Sequence, residues 1–183
     1  MKRIGVVTAG GDAPGMNAAI RAIVRTSIFN GLEVVGIERG YVGLIERKIH
    51  SLDIRSVSGI INRGGTILKT ARCEEIKTIQ GIQKAVQTLK DYEIDALVVI
   101  GGDGSFRGAR ELHQTCGVPV IGVPATIDND VFGTDTTIGA RPDELRLICR
   151  LVKSVSVVEE TSKSFLDKVE ETESCAKKSL LLR

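Results

Sequence analysis

Between Ala96 and Asp130 the chain reads ALVVIGGDGSFRGARELHQTCGVPVIGVPATIDND, an order of residues that few folds accommodate. Two short apolar runs, Ala96–Ile100 and Val118–Val123, are rich in β-branched residues and bounded by Gly or Pro, as strands buried on both faces are. A helix-competent segment lies between them, with Ser105 at its start. Such a strand–helix–strand unit sends both strand ends to one edge of a parallel sheet, where open α/β proteins bind ligands. That edge then carries a glycine-rich turn with one carboxylate, Gly101-Gly102-Asp103-Gly104-Ser105. Beside it stands a second turn with two, Thr126-Ile127-Asp128-Asn129-Asp130. The layout suits a nucleotide phosphate, a divalent cation and a proton acceptor.

The preceding residues repeat the pattern. Lys2–Thr8 reads as a strand, Ala9–Gly15 (AGGDAPG) as a turn, Met16–Asn30 as a helix and Leu32–Ile37 as a second strand. Met16, Ala19, Ile20, Ile23, Val24 and Ile28 make the apolar face of that helix. Gly10 and Gly11 let backbone approach a phosphate, although two glycines in a tight βα turn serve packing as often. Glu38–Ser51 reads as a polar loop in which Tyr41, between two glycines, is free either to stack on a base or to pack locally. A short helix is expected over Asp53–Ile61, broken by Asn62-Arg63-Gly64-Gly65-Thr66. Arg72 offers a guanidinium for polyphosphate, or else a solvated surface charge. Thr78–Tyr92 is the clearest helix, capped by Thr78, with Ile79, Ile82, Val86 and Leu89 as its stripe.

Composition excludes several classes. A net charge of +2 gives no broad electrostatic basis for binding nucleic acid or a membrane surface. No apolar run is long enough to span a bilayer, and the N-terminus passes into a strand without the regions of a signal peptide. The four cysteines, Cys73, Cys116, Cys149 and Cys175, show neither metal-ligand spacing nor a disulfide framework. Reduced thiols in a cytoplasmic protein are expected. With 42% hydrophobic residues, the 183-residue chain suits one domain, or one domain and part of another.

The chemistry of the two turns is set by their residue types. Gly101, Gly102 and Gly104 keep side chains clear while a helix N-terminus meets phosphate oxygens. Asp103 suits Mg²⁺, which takes a few carboxylate oxygens and keeps several waters. This turn fits lipid kinases and NAD kinases as well. Asp128 and Asp130, one residue apart past a strand end, are suited to hold a hydroxyl and take its proton during attack on phosphorus. An Asp-rich turn bonding its own backbone is the plainer alternative.

Taken together, GGDAPGMNAAIR at 10–21, NRGGT at 62–66, AR at 71–72, GGDGS at 101–105 and TIDND at 126–130 resemble bacterial 6-phosphofructokinase in order and spacing across residues 1–139. The resemblance implies a tetrameric, ATP-dependent, Mg²⁺-requiring kinase of glycolysis that phosphorylates the 1-hydroxyl of fructose 6-phosphate. It implies two α/β domains, the first a Rossmann-like parallel-sheet sandwich. By the same resemblance, Gly11, Arg72, Cys73, Gly102, Asp103, Gly104 and Ser105 contact ATP, and Tyr41 lies near the adenine. Asp103 serves Mg²⁺. Thr126, Ile127, Asp128 and Asp130 meet the sugar phosphate, with Asp128 as general base. Arg21 and Arg25 fall where bacterial members bind an ADP effector, although Ile54 stands where that pattern continues with arginine and Arg55 is displaced by one.

Gly104 and Ala125 bear on the donor. Pyrophosphate-dependent members of the family commonly carry aspartate at the first position and lysine at the second. Neither is present, which favours ATP. The resemblance ends at Gly139, so residues 140–183 are expected to be a divergent tail, helical or disordered, of a truncated or recombined product whose second domain is missing. Within it Pro142 would open a helix with Leu145, Ile148, Leu151, Val152 and Val155 as its face. Without the second domain's cations the chain is expected to be a poor kinase, or an inactive nucleotide-binding or subunit-interaction fragment.

Overall fold

The computed structural model describes residues 2–140. The expected helix opened by Pro142, its apolar face, Cys149 and Cys175 lie outside the described residues.

Five strands form one sheet: β1 (Arg3–Thr8), β2 (Glu33–Ile37), β3 (Ile49–Leu52), β4 (Ala96–Gly101) and β5 (Val120–Pro124), in the order β3-β2-β1-β4-β5. The last four in that order are parallel, and β3 pairs antiparallel with β2 at one edge, so the sheet is mixed rather than purely parallel. The α-helices are α1 (Met16–Phe29), α2 (Gly40–Ile45), α3 (Ile79–Asp91) and α4 (Asp103–Cys116). This is the expected Rossmann-like α/β architecture.

Strand alternation divides the core between two faces. Ile4, Val6, Val34, Val98 and Ile100 meet Met16, Ala19, Ile20, Ile23 and Val24 of α1. Val7, Val35, Ile37, Leu97 and Val99 meet Leu44 of α2, Ile82, Ala85 and Leu89 of α3, and Ala109 and Leu112 of α4. Because β1 leads outward to β2 while β4 leads outward to β5, right-handed crossovers put α1 and α4 on opposite faces. The C-terminal ends of β1 and β4 therefore border a topological switch point, where sheets of this kind open a crevice.

Several local expectations are corrected. Glu38–Ser51 is not a polar loop: it holds α2 and β3. Its glycines serve close packing, since a Cβ on Gly43 would collide with the Glu38 carbonyl oxygen. Asp53–Ile61 is a series of turns and not a helix. There Asp53 accepts from both the amide and the hydroxyl of Ser56, and Gly59 takes φ 65°, so local bonding displaces helical pairing. Thr78 does cap α3, accepting from the Gly81 amide at 3.0 Å, but Ile79 is exposed and Ala85 takes its place in the apolar face. Helix α4 begins at Asp103, two residues before Ser105.

Candidate active site

Four segments meet at the switch point. Helix α4 starts directly where β4 ends. Its N-cap residue, Gly102, supplies no side-chain acceptor, which leaves the first-turn N–H groups of Asp103 and Gly104 for an external anion. The three glycines of this turn have different reasons to be glycine. A Cβ on Gly101 would lie 2.6 Å from the Ala9 carbonyl oxygen, and one on Gly102 would lie 2.9 Å from the Thr126 methyl. At Gly104 a Cβ meets nothing within 4 Å, so the fold itself leaves that space open.

The second segment is the turn after β1. Gly10 takes φ 90°, Gly11 is exposed with open space above it, and the Ala9 amide bonds to the Ile100 carbonyl at 3.0 Å. The third comes after β5. The Ala125 amide donates to the Gly101 carbonyl at 2.8 Å, joining the carboxylate pair to the glycine turn. Thr126 donates to Asp130 at 3.0 Å, while Asp128 and Ile127 are exposed. Asn129, at φ 52°, shapes this turn: its side chain accepts from the Thr137 amide at 2.8 Å and donates to the Asp135 carbonyl at 3.2 Å. The plainer alternative, an Asp-rich turn bonding its own backbone, describes Asn129 better than either aspartate.

The fourth segment, residues 62–73, is held from the β1–α1 side. Asn17 is buried and donates to the Arg63 carbonyl at 3.2 Å while accepting from the Ile67 amide at 2.9 Å. Thr8 donates to the Lys69 carbonyl at 2.7 Å, and Thr70 donates to Asp12 at 2.8 Å. Arg72 is exposed and Cys73 half-buried. Tyr41 is buried, and its hydroxyl donates to the Ser105 carbonyl at 2.5 Å. Burial, then the nearby Cys73 thiol, push the phenol far above its ordinary range, so it stays a protonated donor. Burial likewise raises the Cys73 thiol, opposed by the amides of Ile76 and Glu75. Tyr41 therefore packs locally, beneath α4.

A sequence model of the family described as Phosphofructokinase matches residues 3–168. The chain belongs to the phosphofructokinase family.

It is similar to the ATP-dependent 6-phosphofructokinase of Halothermothrix orenii, with 63% identity over 139 residues, covering 76% of this chain and 42% of that relative. It is also similar to the crystal structure of Pichia pastoris phosphofructokinase in the T-state: 42% identity, TM-score 0.71, 76% of this chain and 17% of that one. A pyrophosphate-dependent phosphofructokinase from Marinobacter aquaeolei, at 20% identity and TM-score 0.67, shares the fold over 76% of this chain and 37% of its own. The chain thus spans less than half the length of the curated relatives it matches.

Against this family background, the structure gathers Gly11, Arg72, Cys73, Tyr41, Gly102–Ser105 and the Thr126–Asp130 turn along one edge. It does not bring Arg21 and Arg25 there. Both lie on α1, where Arg21 donates to the Val57 carbonyl at 2.6 Å and Arg25 is exposed. Ser105 is buried, with its hydroxyl facing Gly10 and Gly101. Asp103 is exposed and ion-paired with Arg107 at 2.9 Å, one helical turn along. Among the described residues no group of three His, Cys, Asp or Glu side chains is placed to hold a metal ion, and no helix is long and apolar enough to cross a membrane.

Sequence reasoning missed Thr8, Asp12, Asn17, Thr70, Arg107 and Asn129. Asn17 had a signal. It is a polar residue within the apolar face of α1, and a buried amide there needs partners.

Proposed function

We propose that this chain is the nucleotide-binding part of an ATP-dependent 6-phosphofructokinase, acting in the cytoplasm on fructose 6-phosphate. The observation that carries the reading is the uncapped N-terminus of α4 beside the Asp128 turn, joined through Ala125 and Gly101. First-turn amides of α4 and the backbone at Gly11 receive phosphate oxygens, and Arg72 adds charge. Cys73 walls the adenine end, with the buried Tyr41 packed behind it. Asp103 fits a single protein carboxylate for Mg²⁺: it is exposed, and its ionic partner among the described residues is an exposed arginine that a doubly charged ion displaces. When bound, that ion would offset the negative charge of the phosphates.

Gly104 supports ATP over pyrophosphate. The fold does not need glycine there, since a Cβ would meet nothing, so the open space is available to the α-phosphate and the nucleoside attached to it. Ala125 is buried, a position at which a lysine charge would be costly to place. Across the edge, Asp128 accepts the proton of the sugar 1-hydroxyl as its oxygen attacks the γ-phosphorus. Thr126, Ile127 and Asp130 shape the acceptor side. The family resemblance implies in addition cations on an opposite wall, which hold the acceptor in line, and the tetramer of the bacterial enzymes. A nucleotide-binding protein without turnover is the second reading.

The test is a fusion of residues 1–139 to the remainder of a bacterial relative, assayed for ADP release with MgATP and fructose 6-phosphate. Asp128→Asn should lower turnover by about 10²–10⁴-fold while leaving ATP binding unchanged. Near-normal turnover would move the base elsewhere, with Asp130 next.

A further inference from the structure

The segment from Asn62 to Cys73 forms only turns, yet it crosses the sheet edge along a fixed path. Its last residues are held at two points. On one side Asp12 Oδ1 accepts the Thr70 hydroxyl at 2.8 Å, next to the Thr8 bond to the Lys69 carbonyl at 2.7 Å. Asp12 Oδ2 also lies 3.4 Å from where a Cβ on Gly65 would stand, so the carboxylate is seated against both arms of the segment. On the other side Cys73 packs on the cluster containing Tyr41, whose hydroxyl reaches the Ser105 carbonyl in α4. Between them the Ala71 carbonyl lies 3.3 Å, and the Thr8 carbonyl 3.1 Å, from the site of a Cβ on Gly40. Ala71 is thereby confined beside the end of β1, and the exposed Arg72 is the next residue along the chain.

We propose that Asp12 and Thr70 are positioning residues for Arg72, fixing its backbone so that the guanidinium is presented to polyphosphate at the N-terminus of α4. The inference rests on the reading that this edge binds ATP. Asp12 is an unexpected residue to find there, because a carboxylate beside an anion site is repulsive. Its gain is geometric. A long, exposed arginine loses much rotamer freedom when it binds, and a fixed starting point reduces what is left to lose. Charge alone predicts that removing Asp12 tightens polyphosphate binding; positioning predicts the reverse.

The experiment measures the MgATP dissociation constant of the full 183-residue chain by calorimetry. Thr70→Val removes the hydroxyl and keeps the charge of Asp12. It should weaken MgATP about three- to tenfold, and Thr70→Ser should restore it. Arg72→Met should weaken binding at least as much. In the Arg72→Met background, adding Thr70→Val should change nothing further, since the hydroxyl acts through the arginine. Asp12→Ala, run in the same two backgrounds, provides a second cycle if Thr70→Val does not fold. Independent, multiplying effects of the two substitutions would overturn the proposal, as would tighter binding by Asp12→Ala or no rescue by Thr70→Ser. Absence of MgATP binding by the unsubstituted chain would instead overturn the functional reading, and this role with it.

Discussion

The glycine turn at 101–105 and the segment at 62–73 border the same crevice but are built differently. The turn is shaped by backbone alone: a strand ends, Gly102 extends, and α4 begins within two residues. The segment is shaped by side chains that belong to other elements, Thr8, Asp12 and Asn17, reaching it across about 50 to 60 positions of sequence. A backbone-built site is local and announces itself in a short motif. A side-chain-built site is distributed, and its parts look ordinary until the fold assembles them.

That difference predicts how each region breaks. The largest effect is expected at Gly101. Gly101→Val should cost about 3 kcal/mol, because its Cβ would collide with the backbone carbonyl of Ala9 and with the Cβ and hydroxyl of the buried Ser105. Gly104→Ala, three residues on in the same motif, should leave stability unchanged or raise it by up to about 1 kcal/mol, since the helix gains a better former in open space. Urea unfolding of both variants checks this. Equal costs would mean that the motif is one packing unit rather than a packed glycine followed by a vacant one.

In the side-chain-built segment, Asn17→Leu should cost about 2 kcal/mol by leaving the Arg63 carbonyl and the Ile67 amide without their partner. Amide exchange should quicken at Ile67 and Leu68 while β4 keeps its protection. Uniform loss of protection would show that Asn17 supports the core and not the segment.

A smaller effect is expected at the opposite sheet edge, where Asp95 fixes the start of β1 by accepting from the amides of Lys2 at 2.5 Å and Arg3 at 2.9 Å. Those bonds hold its carboxyl below the usual carboxylate range. A depressed folded-state value means the contribution is present above the unfolded pKa and is lost as pH falls through the folded one. Asp95→Asn should therefore lower Tm slightly at pH 7, and the gap should close in acid. A gap that persists at low pH would assign it to packing.

Much of the fold was legible in the sequence. Strands β1, β2, β4 and β5 are β-branched runs between Gly and Pro signals, and α1, α3 and α4 show helical spacing. What failed did so for physical reasons. The glycines of Gly40-Tyr41-Val42-Gly43 suggest a loop, but they are needed for close approach in α2. Strand β3, Ile49-His50-Ser51-Leu52, has two exposed polar residues and exists because β2 offers it an edge. Asp53–Ile61 has helical potential that the Asp53–Ser56 bonds override. At the site, GGDGS and TIDND stood out as motifs because their spacing is local. Arg72 stood out only as a guanidinium with two readings, and the family resemblance supplied Cys73. Thr8 and Asp12 were not readable, because their partners lie on a segment whose path no periodicity encodes, and Asn17 showed only as a polar residue within an apolar helix face.

The most direct test of the central claim is a paired titration of the full chain with MgATP and with Mg-pyrophosphate, monitored by thermal protection, beside Gly104→Asp. Protection should be greater with MgATP, and Gly104→Asp should remove most of it through bulk and charge while leaving the unliganded Tm nearly unchanged. Stronger protection by pyrophosphate, or MgATP protection indifferent to Gly104→Asp, would contradict the assignment of this edge to ATP.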